Sequence, residues 1–125
     1  MKLFDLEEAN ALIPTVRRIA TNIQRLHRRM MSFQEAAQRA AKGAELGGGA
    51  MFGGEQYVSI LFKLAENMGE LEELGVQIKD YARGLVDFPS LRDGRVVLLC
   101  WQLGEGDDIE WWHETDSGFA GRQSL

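Results

Sequence analysis

Several residues near the carboxyl terminus have side chains that could bind a small charged ligand. Polar and charged residues stand there among tryptophans, and the candidate ligand-binding residues are Asp87, Arg92, Trp101, His113, Asp116 and Arg122. Arginine binds a carboxylate or phosphate group through two parallel hydrogen bonds. The pattern therefore favours one of two arrangements. One is a small-anion pocket between sheet and helices, and the other is a structural lock in which Arg122 pairs with Asp87 or Asp116.

A second set of residues has the side chains that transition metals prefer. Zinc accepts cysteine, histidine and carboxylate ligands, and this part of the chain contains Cys100, Glu105, His113, Glu114 and Asp116. Their spacing matches no strong zinc signature. The metal site that we retain as an alternative centres on His113, with Glu105 or Glu114 as companion ligands.

The register of the last β-hairpin decides whether Cys100 and His113 can share a ligand. Pairing Leu103 with Ile109 would place Leu99 opposite His113. Because side chains alternate between the faces of a sheet, Cys100 and His113 would then lie on opposite faces. Cys100 would be a small buried apolar residue.

We favour this register because it stacks Trp101 against Trp111 across the two strands. A slip of one residue would instead bring Cys100 and His113 side by side. The sequence leaves both registers open.

Nothing in the sequence specifies nucleophilic catalysis. It contains no Gly-x-Ser-x-Gly elbow, and a Cys100–His113 pair would need the less favoured register. We therefore assign no catalytic residue and no cofactor, and whether the chain is an enzyme stays open.

The first predicted helix covers about residues 6–41. Apolar residues recur there at alternating steps of three and four, as in a heptad seam. Asp5 can cap the helix amino terminus while Glu8 reaches back to it, as in a capping box.

The second predicted helix covers about residues 56–82 and shows the same spacing, with Gly75 on its apolar seam. Between the two helices lies a glycine-rich linker, residues 43–54. Two long helices joined by a loop indicate an antiparallel hairpin.

The remainder of the chain is predicted to form a small sheet and a tail, residues 85–125. A short edge strand, 85–89, ends at its proline, and Asp93-Gly94 marks a turn. Residues 95–103 are apolar on both faces and predict a central strand. Residues 109–114 are predicted to form the antiparallel strand beside it.

These elements predict one α+β domain over residues 1–125, in which a long antiparallel helical hairpin packs on a small antiparallel sheet of two or three strands. A first helix of about 36 residues would be roughly 54 Å long, whereas a compact chain of this size is roughly 36 Å across. Its apolar seam continues to Ala40, beyond the compact body. The simplest cover for this overhang is a second copy, so we expect a homodimer.

The chain has 14 basic and 19 acidic residues, a net charge of −5, which makes nucleic acid an improbable partner. A basic cluster in residues 17–42 most simply forms a solvated helix face matched by glutamates of the second helix. An RNA-binding or acidic-partner surface is the alternative.

Neither a transmembrane stretch nor a signal peptide is recognisable in the sequence. The single cysteine, Cys100, excludes an internal disulfide. We therefore expect a cytoplasmic protein without a membrane partner.

Motifs at both ends of the chain resemble those of a known family. At the amino terminus these are Phe4–Asn10 and Leu12–Pro14, and in the carboxyl-terminal half they are Gly84–Pro89, Leu98–Trp101 with Gly104-Glu105, Trp112–Glu114 and Gly118–Arg122. They resemble a small bacterial family, also found in plant plastids, that is catalogued as a domain of unknown function. The resemblance implies a complete single-domain member and supplies no activity.

The sequence thus favours a binding or assembly module that dimerises through its helices. Its carboxyl-terminal sheet would offer a site for a partner protein or a small anion. The alternative function is a metal-dependent enzyme or a metal sensor centred on His113.

Overall fold

The computed structural model describes residues 1–45 and 53–125, which form two helices and a five-stranded antiparallel sheet. The predicted α+β class is confirmed. The helices are α1, Leu6–Glu45, and α2, Gly54–Leu74. The predicted linker falls mainly on residues 46–52, which lie outside the described residues, whereas Gly43 belongs to α1 and Gly54 to α2.

The predicted capping box starts α1. The backbone N–H of Glu8 donates to Asp5 Oδ1 at 2.7 Å, and the backbone N–H of Asp5 donates to Glu8 Oε1 at 3.1 Å. The helix then buries one stripe against the rest of the molecule, formed by Ala9, Ile13, Val16, Ala20 and Ile23.

The two helices pack against each other in antiparallel fashion. Arg18 of α1 contacts Glu70 of α2, and Asn22 contacts Asn67. Farther along α1, Phe33 packs against Tyr57, with ring centroids 6.1 Å apart. Residues with increasing numbers in α1 therefore contact residues with decreasing numbers in α2, as the predicted antiparallel hairpin requires.

The second helix ends at Leu74 and does not reach residue 82, so its predicted end is wrong. Gly75 adopts a left-handed conformation with φ of 85°, and its N–H and that of Val76 satisfy carbonyls of the last turn. The chain then forms strand β1, Gln77–Asp80. The helical spacing of the apolar residues continued across Gly75 although the helix stopped there.

The sheet has the strand order β1-β2-β3-β4-β5, so each strand pairs with its neighbours in sequence. The bounds of the other strands are Leu85–Arg92 for β2, Arg95–Gln102 for β3, Trp111–Glu114 for β4 and Gln123–Ser124 for β5. The prediction that residues 95–103 form the central strand is confirmed. The sheet contains five strands where two or three were predicted, because β1 and β5 were not anticipated.

Strand β2 continues through Pro89, so the prediction of a short edge strand ending there is wrong. Pro89 lies opposite Leu98 of β3. Its carbonyl accepts a hydrogen bond from the N–H of Phe4 at 2.7 Å on the side away from β3. Because N–H and C=O of one strand residue point to the same side, the N–H that proline lacks is not needed by the β2–β3 ladder.

The turn between β2 and β3 is the predicted one. Asp93 and Gly94 both have positive φ, 52° and 75°, and connect the paired residues Arg92 and Arg95. These are the dihedral signs of a two-residue hairpin turn.

The favoured register between β3 and β4 is wrong by one residue. Cys100 lies opposite Trp111, and Leu98 lies opposite His113. Cys100 and His113 therefore share one face of the sheet. Trp101 lies on the other face from Trp111, so these two side chains do not stack.

The loop between β3 and β4 explains this difference. It is longer than a two-residue hairpin turn, and its residues form hydrogen bonds with other parts of the fold. The N–H of Ile109 donates to Asn10 Oδ1 of α1 at 2.7 Å, and Trp101 Nε1 donates to the Gly106 carbonyl at 2.8 Å. These contacts determine where the chain re-enters the sheet.

The sheet has two different faces. One packs on α1 and carries most of the hydrophobic core, in which the rings of Phe4 and Phe88 meet at a centroid distance of 5.5 Å. The other face carries Asp87, Cys100 and His113, and the carboxyl-terminal tail crosses it. Within the described ranges, neither helix is long and apolar enough to span a bilayer.

Candidate functional site

Three adjacent strands bring Asp87, Cys100 and His113 together on the sheet face that points away from the helices. Asp87 of β2 lies opposite Cys100 of β3, and His113 of β4 is the diagonal neighbour of Cys100. The exposed fractions are 1%, 0% and 2%. One oxygen, the sulfur and one ring nitrogen lie within 4.8 Å of one another. We call these residues the Asp87–Cys100–His113 cluster.

The hydrogen bonds of His113 determine where its protons lie. Nδ1 is 2.7 Å from the backbone carbonyl of Glu114, which can only accept, so Nδ1 carries a hydrogen. Nε2 is 3.0 Å from Asp87 Oδ1. A hydrogen bond at this second position requires one proton, which resides on Nε2 or on the carboxyl group. The buried pair therefore shares a single proton.

Cys100 is a protonated thiol in this environment. Burial raises the pKa of Cys100 to about 11, although the hydrogen bond from Arg122 acts in the opposite direction. Arg122 Nε lies 3.3 Å from Cys100 Sγ. The cluster thus holds a neutral thiol beside a pair that shares one proton.

Arg122 forms a bidentate ion pair with Glu105. Its terminal nitrogens lie 2.7 and 2.8 Å from the two carboxylate oxygens. Burial opposes ionisation of Glu105, but the hydrogen bonds from Arg122 and Gln102 outweigh it, so the pKa of Glu105 is lowered. Burial likewise disfavours the charged form of Arg122, yet its bonds to Glu105 and Cys100 leave its pKa raised. Glu105 occupies the place that the sequence analysis gave to Asp87 or Asp116.

The other residues predicted for an anion site lie apart from this cluster. Trp101 is on the helix-facing side of the sheet. Arg92 is exposed and stacks over the ring of Trp112, with its guanidinium carbon 4.6 Å from the ring centroid. Asp116 is exposed in the turn after β4. The structure thus brings Asp87 and His113 together, places Arg122 beside them, and leaves the other three elsewhere.

The residues of the alternative metal site are also dispersed. Glu105 is bound by Arg122, and Glu114 accepts hydrogen bonds from Arg95 at 3.1 and 3.2 Å. That pairing lowers the pKa of Glu114. In the described part of the chain, the group of metal-ligating side chains that converges around His113 contains Asp87 and Cys100 instead.

Sequence reasoning missed Cys100 as a member of the site because it depended on the hairpin register. One signal was available. An aspartate, a cysteine and a histidine each lie between apolar neighbours in a strand, and a buried polar side chain needs a partner. Requiring Asp87, Cys100 and His113 to satisfy one another would have favoured the observed register.

The helical hairpin presents a second unusual surface. Val58, Leu61, Phe62 and Ala65 are exposed, and we call them the outer face of α2. Val58 is 64% exposed and Phe62 is 66% exposed. Their spacing places them together on the helix, away from the buried side chains of Ile60, Leu64 and Leu71.

Comparison with known proteins identifies a family but no characterised relative. Neither the curated proteins nor the solved structures contain a match to this chain. A family model described as "Uncharacterized conserved protein (DUF2203)" matches residues 2–125. Because this match covers nearly the whole chain, the protein belongs to the DUF2203 family.

Proposed function

We propose that this protein is an assembly module that forms a homodimer through the helical hairpin. The observation that carries the proposal is the exposed apolar outer face of α2. Clustered large apolar side chains on a protein surface mark interaction sites more often than isolated ones do. Burying a phenylalanine side chain contributes about 1.5–3 kcal/mol, so burial of Phe62 against a partner would stabilise the complex.

The charges of the two helices support a second copy of the chain as that partner. Helix α1 contains seven basic and four acidic residues, whereas α2 contains one basic and five acidic residues. Among the described residues, Arg18–Glu70 is the ion pair that joins the two helices, at 3.3 Å. Most of these charges are therefore free to pair with the oppositely charged helix of another copy.

The relative lengths of the helices give further support. Helix α2 begins beside Phe33 of α1, as the contact with Tyr57 indicates. Helix α1 continues to Glu45, which is about 18 Å farther at 1.5 Å per residue. The described side chains of this extension are exposed and include Ala37 and Ala40. A reciprocal contact would place the extension of each copy beside α2 of the other.

A small-anion site on the carboxyl-terminal sheet has less support than the helical interface. Arg122, its main candidate for binding an anion, already donates to Glu105 and Cys100. The negative net charge supports a protein partner over nucleic acid. The unpaired Cys100 is in keeping with a reducing compartment, and we propose that the dimer acts in the cytoplasm.

The test is sedimentation equilibrium of the full chain and of Phe62→Glu over a range of concentrations. We expect the wild-type chain to reach twice its 14.0 kDa mass. Placing a charge at the centre of an apolar interface costs at least about 2.7 kcal/mol, so the dimer dissociation constant should rise about 100-fold or more.

Leu91→Glu is the matched control. Leu91 is also a large apolar side chain, 60% exposed, but it lies on β2 near the Asp93-Gly94 turn. We expect this variant to dimerise like the wild-type chain. A wild-type protein that stays monomeric, or equal dissociation constants for Phe62→Glu and wild type, would reject the helical dimer.

A further inference from the structure

We infer that Asp87, Cys100 and His113 form a binding site for one divalent transition-metal ion, of the zinc class. The inference comes from three different ligand types that three adjacent strands hold within 4.8 Å of one another. It is independent of the proposed dimer, because the cluster lies on the sheet face opposite the helices. It also differs from the alternative site at Glu105, His113 and Glu114.

The ligand chemistry selects the class of ion. Thiolate, imidazole and carboxylate are each ligands that zinc accepts, whereas magnesium and calcium prefer oxygen ligands alone. Zinc ligands at about 2.0–2.3 Å from an ion lie within 4 Å of each other. The atoms of the cluster are already close to that spacing, so small side-chain movements suffice to receive an ion.

The surroundings of the cluster are those of a metal site. Ligating histidines generally donate their second ring N–H to a carbonyl or carboxylate, which orients the ring. His113 does this through Nδ1 and the Glu114 carbonyl, at 2.7 Å, and turns Nε2 toward Asp87 and Cys100. Arg122 Nε–H points at Cys100 Sγ, and such N–H donors stabilise sulfur ligands as thiolates.

The charge balance of the buried cluster also permits a divalent ion. Without metal, Asp87 and His113 share one proton, Cys100 carries another, and the cluster is neutral. With a divalent cation, carboxylate, thiolate and neutral imidazole again give a neutral cluster. The ion thus replaces two protons, and no net charge is added to the interior. Arg122 is separately neutralised by Glu105.

A nucleophilic role for the same three residues is not supported by their geometry. A cysteine nucleophile needs a base that accepts its proton. His113 directs Nδ1 to a backbone carbonyl and Nε2 to Asp87, so neither ring nitrogen is available to Cys100. Burial of all three residues also keeps a substrate away from an ion bound there. We therefore assign the ion the role of tying β2, β3 and β4 together through three protein ligands, with water as the fourth ligand of a tetrahedral site.

The test is titration of the chelator-treated full chain with Co²⁺, a spectroscopic substitute for zinc. We expect saturation at one equivalent, with the visible bands of tetrahedral cobalt and an ultraviolet thiolate-to-cobalt charge-transfer band. Zn²⁺ should abolish both signals and raise the melting temperature, since a ligand that binds the folded state stabilises it. The titration is repeated on protein refolded with Co²⁺ present, so that slow entry into the buried cluster cannot hide binding.

Variants identify the ligands. Cys100→Ser should remove the charge-transfer band and weaken Co²⁺ binding at least tenfold, whereas His27→Ala changes the other histidine of the chain and should bind like wild type. Circular dichroism checks that each variant is folded. If Cys100→Ser fails to fold, the charge-transfer band of the wild-type chain still reports the thiolate ligand. Absence of that band in both wild-type preparations, or its persistence in folded Cys100→Ser, would overturn the assignment.

Discussion

The ion pair between Arg122 and Glu105 holds the carboxyl-terminal tail against the sheet. Arg122 is 11% exposed at its side chain and Glu105 is 24% exposed, so both charges are partly removed from water. The guanidinium also lies over the ring of Phe119, 4.6 Å from its centroid. Because its two hydrogen bonds to the carboxylate are parallel, this pair is among the stronger polar contacts that proteins form.

Replacing Glu105 by glutamine should make the stability of the protein less sensitive to acid. The folded-state pKa of Glu105 is lowered, so its contribution is present above its ordinary pKa and is lost as the pH falls through the folded value. We expect Glu105→Gln to lower the free energy of unfolding by about 2 kcal/mol at pH 7. The difference from wild type should shrink below about pH 4.5. Urea unfolding at several pH values measures both quantities.

Glu114→Gln is the control for this pH dependence. Glu114 also pairs with an arginine, Arg95, and also has a lowered pKa, but the pair lies on the surface. Solvent screens exposed pairs. Glu114→Gln should therefore lower the free energy of unfolding at pH 7 by less than Glu105→Gln does. Equal losses in the two variants would mean that burial of the Arg122–Glu105 pair has no energetic consequence.

The sequence pointed to two of the three cluster residues but did not show how they pair. Asp87 and His113 stood out because polar and charged residues are rarely buried in apolar strands. Pairing, however, depends on register, and a shift of one residue moves every side chain of a strand to the other face. In the observed register the loop before β4 is bound by Asn10, through a contact between distant residues that no local pattern encodes.

At the scale of secondary structure, the junction between α2 and β1 directs the chain from the helices into the sheet. Gly75 ends the helix in a left-handed conformation, and the chain two residues later enters β1. A Cβ atom at Gly75 would lie 2.9 Å from the Cβ of Lys2, so the backbone conformation and the available space both require glycine. The amino-terminal segment therefore packs directly on this turn.

Replacing Gly75 by alanine should destabilise the fold. A left-handed conformation costs a non-glycine residue about 1–2 kcal/mol, and the contact with Lys2 adds to this. We expect the free energy of unfolding to fall by about 2 kcal/mol. Thermal and urea denaturation in the Phe62→Glu background measure the change without a contribution from association.

Gly69→Ala, in the same background, is the matched control. Gly69 lies inside α2, and no heavy atom outside its own helix backbone lies within 4 Å of the place that a Cβ would take. Alanine favours the helix interior over glycine by about 0.8–1 kcal/mol, so this variant should be more stable than its parent. Destabilisation by Gly69→Ala or a neutral Gly75→Ala would contradict our account of the two positions.

The order of helices and strands was more predictable from the sequence than the residues at which each of them begins and ends. The capping box at Asp5 and the Asp93-Gly94 turn were recognised because both depend on residues close in sequence. The end of α2 was missed because Ile78 and Ala82 continued the helical spacing beyond Gly75. Strand β1 is four residues long and pairs only with β2. It is too short for the alternation of apolar and polar residues typical of a strand to be recognised.

At the scale of the whole molecule, basic and acidic surfaces are separated between the two helices. Arg25 and Arg29 are exposed on α1, and Glu66 and Glu73 are exposed on α2. In a reciprocal dimer, α1 of each copy faces α2 of the other. Such a contact occurs twice by symmetry, so each charge reversal acts twice. Like charges placed across an interface disfavour association.

This symmetry leads to a prediction for two charge-reversed chains. The first carries Arg25→Glu and Arg29→Glu, so that all four of these positions are negative, and the second carries Glu66→Lys and Glu73→Lys, so that all four are positive. Each alone should dimerise at least about tenfold more weakly than wild type, since both of its contacts become repulsive. In a mixture, the negative positions of one chain meet the positive positions of the other, so the two chains should form a heterodimer. Native mass spectrometry distinguishes the two chains by mass and counts each species.

The behaviour of the first chain alone tests which helices meet. If α2 faced α2 across the axis, reversing the charges of α1 would leave the dimer unchanged. A first chain that dimerises like wild type would therefore exclude the reciprocal contact between α1 and α2, even if Phe62→Glu disrupts the dimer. A mixture without heterodimer would show that these four charges do not meet across the interface. In that case the outer face of α2 would have to recognise its partner through apolar contacts alone.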